Sequence, residues 1–518
     1  AKTATTSTTA TFGWTAASGA TGIIIEQSPA GANTWTTAPT SVAIATNATS
    51  ATVTGLIPAT GYDFRLVVTG GANAGTSNVV SNVTTTTVYS GSGSSVAPSG
   101  GNNGVDILVN GKVESAGTAT TSNRNNQTVT TISVDQNKLD SKLLSEGHGA
   151  VVTLPVNAKS DIVIGELNGQ MIKNLENYQA TLEIRTAGAT YTLPAKQIDI
   201  DAISARMGKA LNLQDIKVRI EIAAPLAGTI EAVNRAARDN ALTLVAPPVD
   251  FTISATYGST TIEVLKFNAF VERSIALPNG IDWNKITTGV VVEPDGALRH
   301  VPTKIVVEDG MYYAQINSLT NSTYAVVWHP LEFSDVAAHW AKQAVNDMGS
   351  RMIVSGIGNE QFGPDRDITR AEFAAIVVRG LGLKLEDKAS PFSDVKSSDW
   401  YSSMVSTAYA YHLIDGYPDG TFRPMEKITR EQALVILSKA MTLTGLKDKL
   451  SAQTPDATLR LFQDAASVSH WAQSSVAASV QAGIVSGRGT TELAPKAYIT
   501  RAEVAMVIQK LLQKSGLI

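Results

Sequence analysis

Ile368-Thr369-Arg370-Ala371-Glu372, Ile428-Thr429-Arg430-Glu431-Gln432 and Ile499-Thr500-Arg501-Ala502-Glu503 are one five-residue phrase written three times in the last third of the chain. Upstream of each stands Phe-Ser-Asp or Phe-Gln-Asp (Phe333 to Asp335, Phe392 to Asp394, Phe462 to Asp464). Between the two lie a tryptophan (Trp340, Trp400, Trp471) and a helical pattern that ends near a glycine (Gly356, Gly416, Gly487). The tryptophans are 60 and 71 residues apart and so are the arginines, so every copy keeps its internal register. The extra length falls between copies, around Lys447 to Leu459. Self-similarity of this kind marks a repeat architecture in which neighbouring copies complete one core.

Thr-x-x-Glu and Thr-x-x-Gln are capping boxes, so helices start after Thr369, Thr429 and Thr500. Ile368 with Phe373, and Ile499 with Val504, have the spacing of a hydrophobic staple; the second copy has only Ala433 there. The arginine is harder to explain by helix formation. A cation in the first turn faces the positive end of the helix dipole, at a cost of a few tenths to about 1 kcal/mol, yet all three copies keep it. Free amides, a dipole end and a guanidinium fork together suit a carboxylate. The alternative is a salt bridge to the aspartate of a neighbouring copy. Trp340, Trp400 and Trp471 read either as core anchors or as platforms for a sugar ring. Asp335, Asp394 and Asp464 read as turn or helix caps, or as sugar contacts. Gly356, Gly416 and Gly487 suit turns with positive φ, with close approach of a ligand as their second use. Where the second copy has Gly416-Tyr417-Pro418-Asp419-Gly420-Thr421-Phe422-Arg423-Pro424, the third has Gly487-Arg488-Gly489-Thr490-Thr491-Glu492-Leu493-Ala494-Pro495. Leucine for phenylalanine is expected to alter the third copy's groove.

These residues resemble the S-layer homology motif, whose usual arrangement is three copies at a chain terminus. The resemblance implies an all-α, pseudo-threefold bundle at 331–518, with copies at 331–388, 390–447 and 460–518. It also implies that grooves between copies bind secondary cell-wall polymer, often bearing pyruvate ketals, on the outside of Gram-positive cells. On that footing Arg370, Arg430 and Arg501, with the Asp, Trp and Gly residues above, are the expected glycan-binding set. The function implied is non-catalytic anchoring to the wall, with no cofactor. Two alternatives stay open: a surface-lattice protein that self-associates, or the anchoring part of a larger cell-surface glycoside hydrolase.

Ahead of the repeats, residues 1–88 alternate in short segments such as Tyr62-Asp63-Phe64-Arg65-Leu66. With Trp14 on an early strand and Gly55-Leu56-Ile57-Pro58-Ala59-Thr60-Gly61-Tyr62 before a late one, this part resembles a fibronectin type III domain, an all-β sandwich. Trp14 and Tyr62 are expected in its core. The Gly/Ser-rich stretch 89–104 reads as a linker. Residues 105–330 read as a mainly antiparallel β region with helices near Gln136 to Glu146 and Thr229 to Asp239, hairpin turns at Pro294-Asp295-Gly296 and Asp309-Gly310, and a division into two lobes at Pro247-Pro248. This region resembles the β-rich segments ahead of cell-wall anchors in Gram-positive surface proteins and carries no site motif.

The chain has 518 residues, 43% of them apolar, enough for several cores, and no apolar run of bilayer length. Net charge is −4, which argues against a nucleic-acid footprint or a polybasic membrane patch over the whole molecule. Charged residues are only 17%, a balance found in secreted β-rich surface proteins. Without cysteine there is no disulfide scaffold, thiolate metal site or cysteine nucleophile. P-loop, paired-histidine zinc and Gly-x-Ser-x-Gly motifs are missing too, and His339 and His470 read as helix-start residues. Asp415 to Asp419 lacks the closing acid of a calcium loop and reads as a turn. Beginning at Ala1-Lys2-Thr3, without an initiator Met or an apolar signal core, the chain reads as either a processed secreted protein or, in preference, a piece of a longer one.

Overall fold

The computed structural model describes residues 2–5, 9–40, 43–54, 56, 60–84, 104–208, 211–293, 296–308, 310–489 and 491–518. The linker expected at 89–104 lies outside these up to its last residue, as do Gly55, Ile57 to Ala59, Pro294, Asp295 and Asp309 of the turn motifs. Two compact units divide the chain: Ala1–Gly100 with Val307–Gly310, and Gly101–Val306 with Met311–Ile518.

The first unit contains two antiparallel sheets. One joins Lys2–Thr5, Ala10–Gly13 and Ser50–Val53; the other joins Thr36–Thr37, Gly22–Pro29, Gly61–Thr69 and Gly75–Thr76, with Val80–Thr84 also on Gly61–Thr69. Period-two alternation puts Ile23 and Ile25 inside and leaves Ile24 outside. Phe12 of one sheet meets Phe64 of the other at 4.7 Å between ring centroids, so the sheets share a core that includes Tyr62. Trp14 packs against it just past the end of its strand, half-buried, its indole N–H donating to Ala48 O at 2.8 Å.

In the second unit the strands from Gly104–Val109 to Ser322–Trp328 form one sheet that closes on itself. Most pairs are antiparallel. Among the described residues two are parallel, Gln127–Val134 with Ile162–Asn168 and Val151–Val156 with Thr181–Thr186. The helices Gln136–Glu146 and Gly169–Asn177 lie in the connections of this part, as parallel pairing requires crossovers. The helix expected from Thr229 runs Ala227–Asp239. Pro247-Pro248 divides nothing: Lys217–Ala223 pairs with Val249–Tyr257, and Ala189–Pro194 with Lys266–Ala276, across that point. Proline there occupies the residues just before a strand, where no ladder hydrogen bond is lost.

Each repeat contributes two main helices: Lys342–Ser350 and Arg370–Gly380, Ser402–Ala410 and Arg430–Leu443, Gln473–Gln481 and Arg501–Lys514. The capping boxes at Thr369, Thr429 and Thr500 all form. Contrary to a purely α expectation, the centre is a ring of β-bridges. Ile368 N–H donates to Ile499 O, Ile428 N–H to Ile368 O and Ile499 N–H to Ile428 O, at 3.1, 3.1 and 3.2 Å. A cyclic ring of this kind satisfies the amides preceding three helices at once while burying three isoleucines. The helical third is also packed onto the β region within one unit. Arg299 Nη1 donates to Gly382 O at 2.6 Å, Arg351 Nη1 donates to Thr303 O at 3.1 Å, and Lys266 pairs with Glu386.

Candidate functional site: the grooves between repeats

Arg370, Arg430 and Arg501 are each 5–8% exposed, and each joins its own copy to the next. Arg370 Nε donates to Phe422 O (2.9 Å), Arg430 Nε to Leu493 O (2.8 Å) and Arg501 Nε to Phe362 O (2.8 Å). The third bond closes the circle from the last copy to the first. Backbone amides follow the same path, Arg370 N to Glu426 O, Arg430 N to Ala497 O and Arg501 N to Arg366 O. Burial lowers the pKa of all three guanidinium groups; starting from above 12, they stay charged.

The outer edges of the three guanidinium groups differ. Arg430 Nη1 donates to Glu503 Oε1 at 2.8 Å, and Arg488 Nε and Nη2 reach the same carboxylate at 2.7 and 2.8 Å. Burial acts to raise the Glu503 pKa, but the hydrogen bond from Arg488 and the charge of Arg430 outweigh it and hold the carboxyl below its ordinary value. Arg501 Nη2 donates to Ser355 O at 2.5 Å and Nη1 lies 3.8 Å from Glu372 Oε1. Arg370 lies under the rings of Tyr417 (5.0 Å) and Phe422 (4.8 Å), and its Nη1 and Nη2 have no hydrogen-bond partner among the described residues. The alternative read from sequence was a salt bridge to a neighbouring copy's aspartate; where a pair exists it is the capping-box glutamate of the next copy.

Those aspartates are committed elsewhere. Asp335 accepts from Phe362 N and Gly363 N, Asp394 from Phe422 N and Arg423 N, and Asp464 from Leu493 N and Ala494 N, all at 2.7–2.8 Å. Both carboxylate oxygens latch the loop whose carbonyl receives the arginine. The aspartates therefore support the groove wall, and the expectation of local caps gives way to contacts nearly thirty residues downstream.

The tryptophans are not core anchors. Trp340, Trp400 and Trp471 are 63%, 59% and 58% exposed. Phe333, Phe392 and Phe462 fill the core instead, and the glycines make room for them. A Cβ on Gly356 would lie 2.8 Å from the Phe333 ring, one on Gly487 3.0 Å from the Phe462 ring, and one on Gly416 would clash with Phe392. Of the three glycines, Gly487 alone has positive φ (+90°), so space rather than turn geometry explains the other two.

Two grooves show how the parts come together. Around Arg430 a groove of about 880 Å³ is lined by Trp340 of the first copy and by Gly487, Arg488, Tyr498, Glu503 and Lys510 of the third. Around Arg370 a groove of about 190 Å³ is lined by Gly416, Tyr417, Gln432 and Lys439 of the second copy and Trp471 of the third. Each therefore takes its arginine, its loop and helix, and its tryptophan from three different copies. Tyr417, Arg488 and the Glu/Gln alternation were not singled out from sequence. The signal was present in the positions that vary between otherwise matching copies.

Three segments, 332–374, 391–434 and 461–505, match the model of the S-layer homology domain family. An amylopullulanase of Thermoanaerobacterium thermosulfurigenes is 30% identical over 381 residues, 71% of this chain and 19% of that protein. The helical third is far shorter than that match, so the similarity runs well into the residues ahead of the repeats. A middle cell wall protein of Brevibacillus brevis is 33% identical over 139 residues, 24% of this chain and 13% of that protein. The chain thus spans about a fifth or less of the length of these relatives. Among solved structures, the FN1–FN3 domains of chicken CNTN1 align with a TM-score of 0.15 and 10% identity over 63% of this chain and 91% of that one, a score that carries no argument about the fold. No helix among the described residues is long and apolar enough to cross a membrane. With three S-layer homology segments at its C-terminal end and relatives of the wall and surface layer, this is a secreted, wall-associated protein of the cell surface.

Proposed function

We propose that the helical third holds the protein on the Gram-positive wall by binding an acidic secondary wall polysaccharide in the grooves between repeats, without catalysis. On the same reading, residues 1–88 are a fibronectin type III module, 89–104 a linker, 105–330 a β-rich spacer and 331–518 a pseudo-threefold trimer of S-layer homology repeats. The observation that carries the reading is the composition of the grooves: a buried guanidinium at the floor and an exposed indole at the rim. A carboxylate on a sugar ring suits that pair, since the fork binds the acid while the ring face lies on the indole. Titration of the whole chain with purified wall polymer, before and after mild acid removes its ketal-linked carboxylates, tests this. Binding lost with the carboxylates supports the reading, and equal binding to both preparations contradicts it.

A second reading, the anchoring part of a larger glycoside hydrolase, is favoured by the amylopullulanase match, which extends beyond the repeats. It keeps the same anchor. Release of sugars from wall or plant polysaccharide by this chain alone would replace the non-catalytic reading.

A further inference from the structure

The three repeat arginines follow one plan, yet they stand in three different states of occupation. Glu503 closes the outer edge of Arg430 with a hydrogen-bonded carboxylate, and Glu372 lies 3.8 Å from Arg501, whose other terminal nitrogen is taken by Ser355 O. The residue at the same register beside Arg370 is Gln432. Its Oε1 accepts from Thr429 N at 3.0 Å, completing the capping box, and it brings no charge. The single acid beside it in that groove, Asp415, is paired with Lys439. Arg370 is thus a buried cation, 7% exposed, whose two terminal nitrogens have no acceptor among the described residues and whose groove is open to solvent beside the exposed Trp471. These nitrogens face the open groove with no protein carboxylate to offset their charge, so an incoming carboxylate gains most where none is already present.

We infer that the acid group of the wall ligand is taken in the Arg370 groove alone, and that Gln432 is the specificity-determining residue that leaves this groove open while Glu503 and Glu372 occupy the other two with the protein's own carboxylates. This rests on the proposed glycan-binding reading and adds which groove is charged-ligand competent and why. The wider Arg430 groove, with Trp340 and Tyr498 at its sides and its arginine already paired with Glu503, then suits an uncharged stretch of the same polymer.

The test exchanges residues the copies already use. Gln432→Glu gives the second copy the capping box of the other two, and Glu503→Gln gives the third copy that of the second, so both variants are expected to fold; melting curves check this. The probe is a methyl hexopyranoside carrying a 4,6-linked pyruvate ketal, titrated calorimetrically into the full chain. The parent is expected to bind one equivalent, Gln432→Glu to bind at least tenfold more weakly, and Glu503→Gln to gain a second equivalent. Two or three equivalents in the parent, or unchanged affinity in Gln432→Glu, overturn the inference. A parent that ignores the probe but still pellets with wall sacculi overturns the inference and leaves the anchoring reading standing; failure of both removes both.

Discussion

Arg273 in the β region and Arg370 in the helical third are both buried cations held among aromatic rings. Arg273, 0% exposed, has Tyr191 and Tyr324 rings 4.9 Å from its guanidinium carbon, and its terminal nitrogens donate to Val271 O, Thr320 O, Asn321 Oδ1 and the Tyr191 hydroxyl. That hydroxyl, fully enclosed, has its pKa pushed up to about 12 by burial, so it stays protonated beside the cation. Arg370 has comparable aromatic neighbours, but its terminal nitrogens meet a groove instead of carbonyl oxygens. Aromatic burial of a cation therefore does not make a binding site. What sets the proposed site apart is donors left without acceptors at the wall of a groove.

The largest expected effect separates these two arginines. Arg273→Ala takes a charged donor from Val271 O, Thr320 O and Asn321 Oδ1 and leaves a large void; although Thr320 O keeps the Tyr324 hydroxyl and Asn321 Oδ1 the Tyr191 hydroxyl, it should cost about 3–5 kcal/mol of stability. Arg273→Met, which keeps much of the volume, should cost clearly less. Arg370→Ala loses the bond to Phe422 O and some packing, about 1–2 kcal/mol. Urea unfolding of the whole chain measures all three, and equal losses for Arg273→Ala and Arg370→Ala would erase the distinction. Because each repeat arginine also ties two copies together, these substitutions weaken the fold as well as any ligand contact.

Next in size is the latch. Asp394→Ala leaves the amides of Phe422 and Arg423 without their charged acceptor and should cost about 1–3 kcal/mol, with the Arg370 groove loosened in parallel. A melting temperature unchanged by this substitution would show that the loop holds itself.

Smaller again is a pH effect at the seam between the two regions. His300 is 3% exposed, and burial first, then the charges of Arg351 and Arg299, keep its pKa well below 6.5. The unfolded chain takes up this proton near pH 6.5 while the folded chain does not. Its contribution is full above about pH 6.5 and is lost as the pH falls, by at most about 1.4 kcal/mol per unit until the folded pKa is reached. His300→Asn should flatten stability against pH between about 6.5 and 5; an unchanged slope would place the titration elsewhere.

The smallest stability effect belongs to the exposed indole. Trp471→Ala should move stability by less than about 0.5 kcal/mol while weakening binding of wall polymer. Loss of stability without loss of binding would return the tryptophan to the core.

The contrast between regions also explains what could be read from the residues alone. Repeat number, register and the three helix starts were legible because a capping box is local and recurs. The position of the tryptophans was not, because large apolar rings suggest the core, and nothing in the spacing reveals that Phe333, Phe392 and Phe462 already fill it beneath glycines lacking a Cβ. The aspartates' true partners lie too far along the chain to be read as caps. In the β region, alternation showed the strands. Closure of the sheet, its two parallel pairs and its continuity past Pro247-Pro248 depend on long-range partner choice, which period-two patterning does not encode.

The anchoring claim is tested most directly by sedimenting the full chain with purified Gram-positive wall sacculi, intact and after chemical removal of their secondary polymer. The account predicts that the protein pellets with intact sacculi and stays in solution with stripped ones. Equal pelleting with both, or with neither, would contradict it.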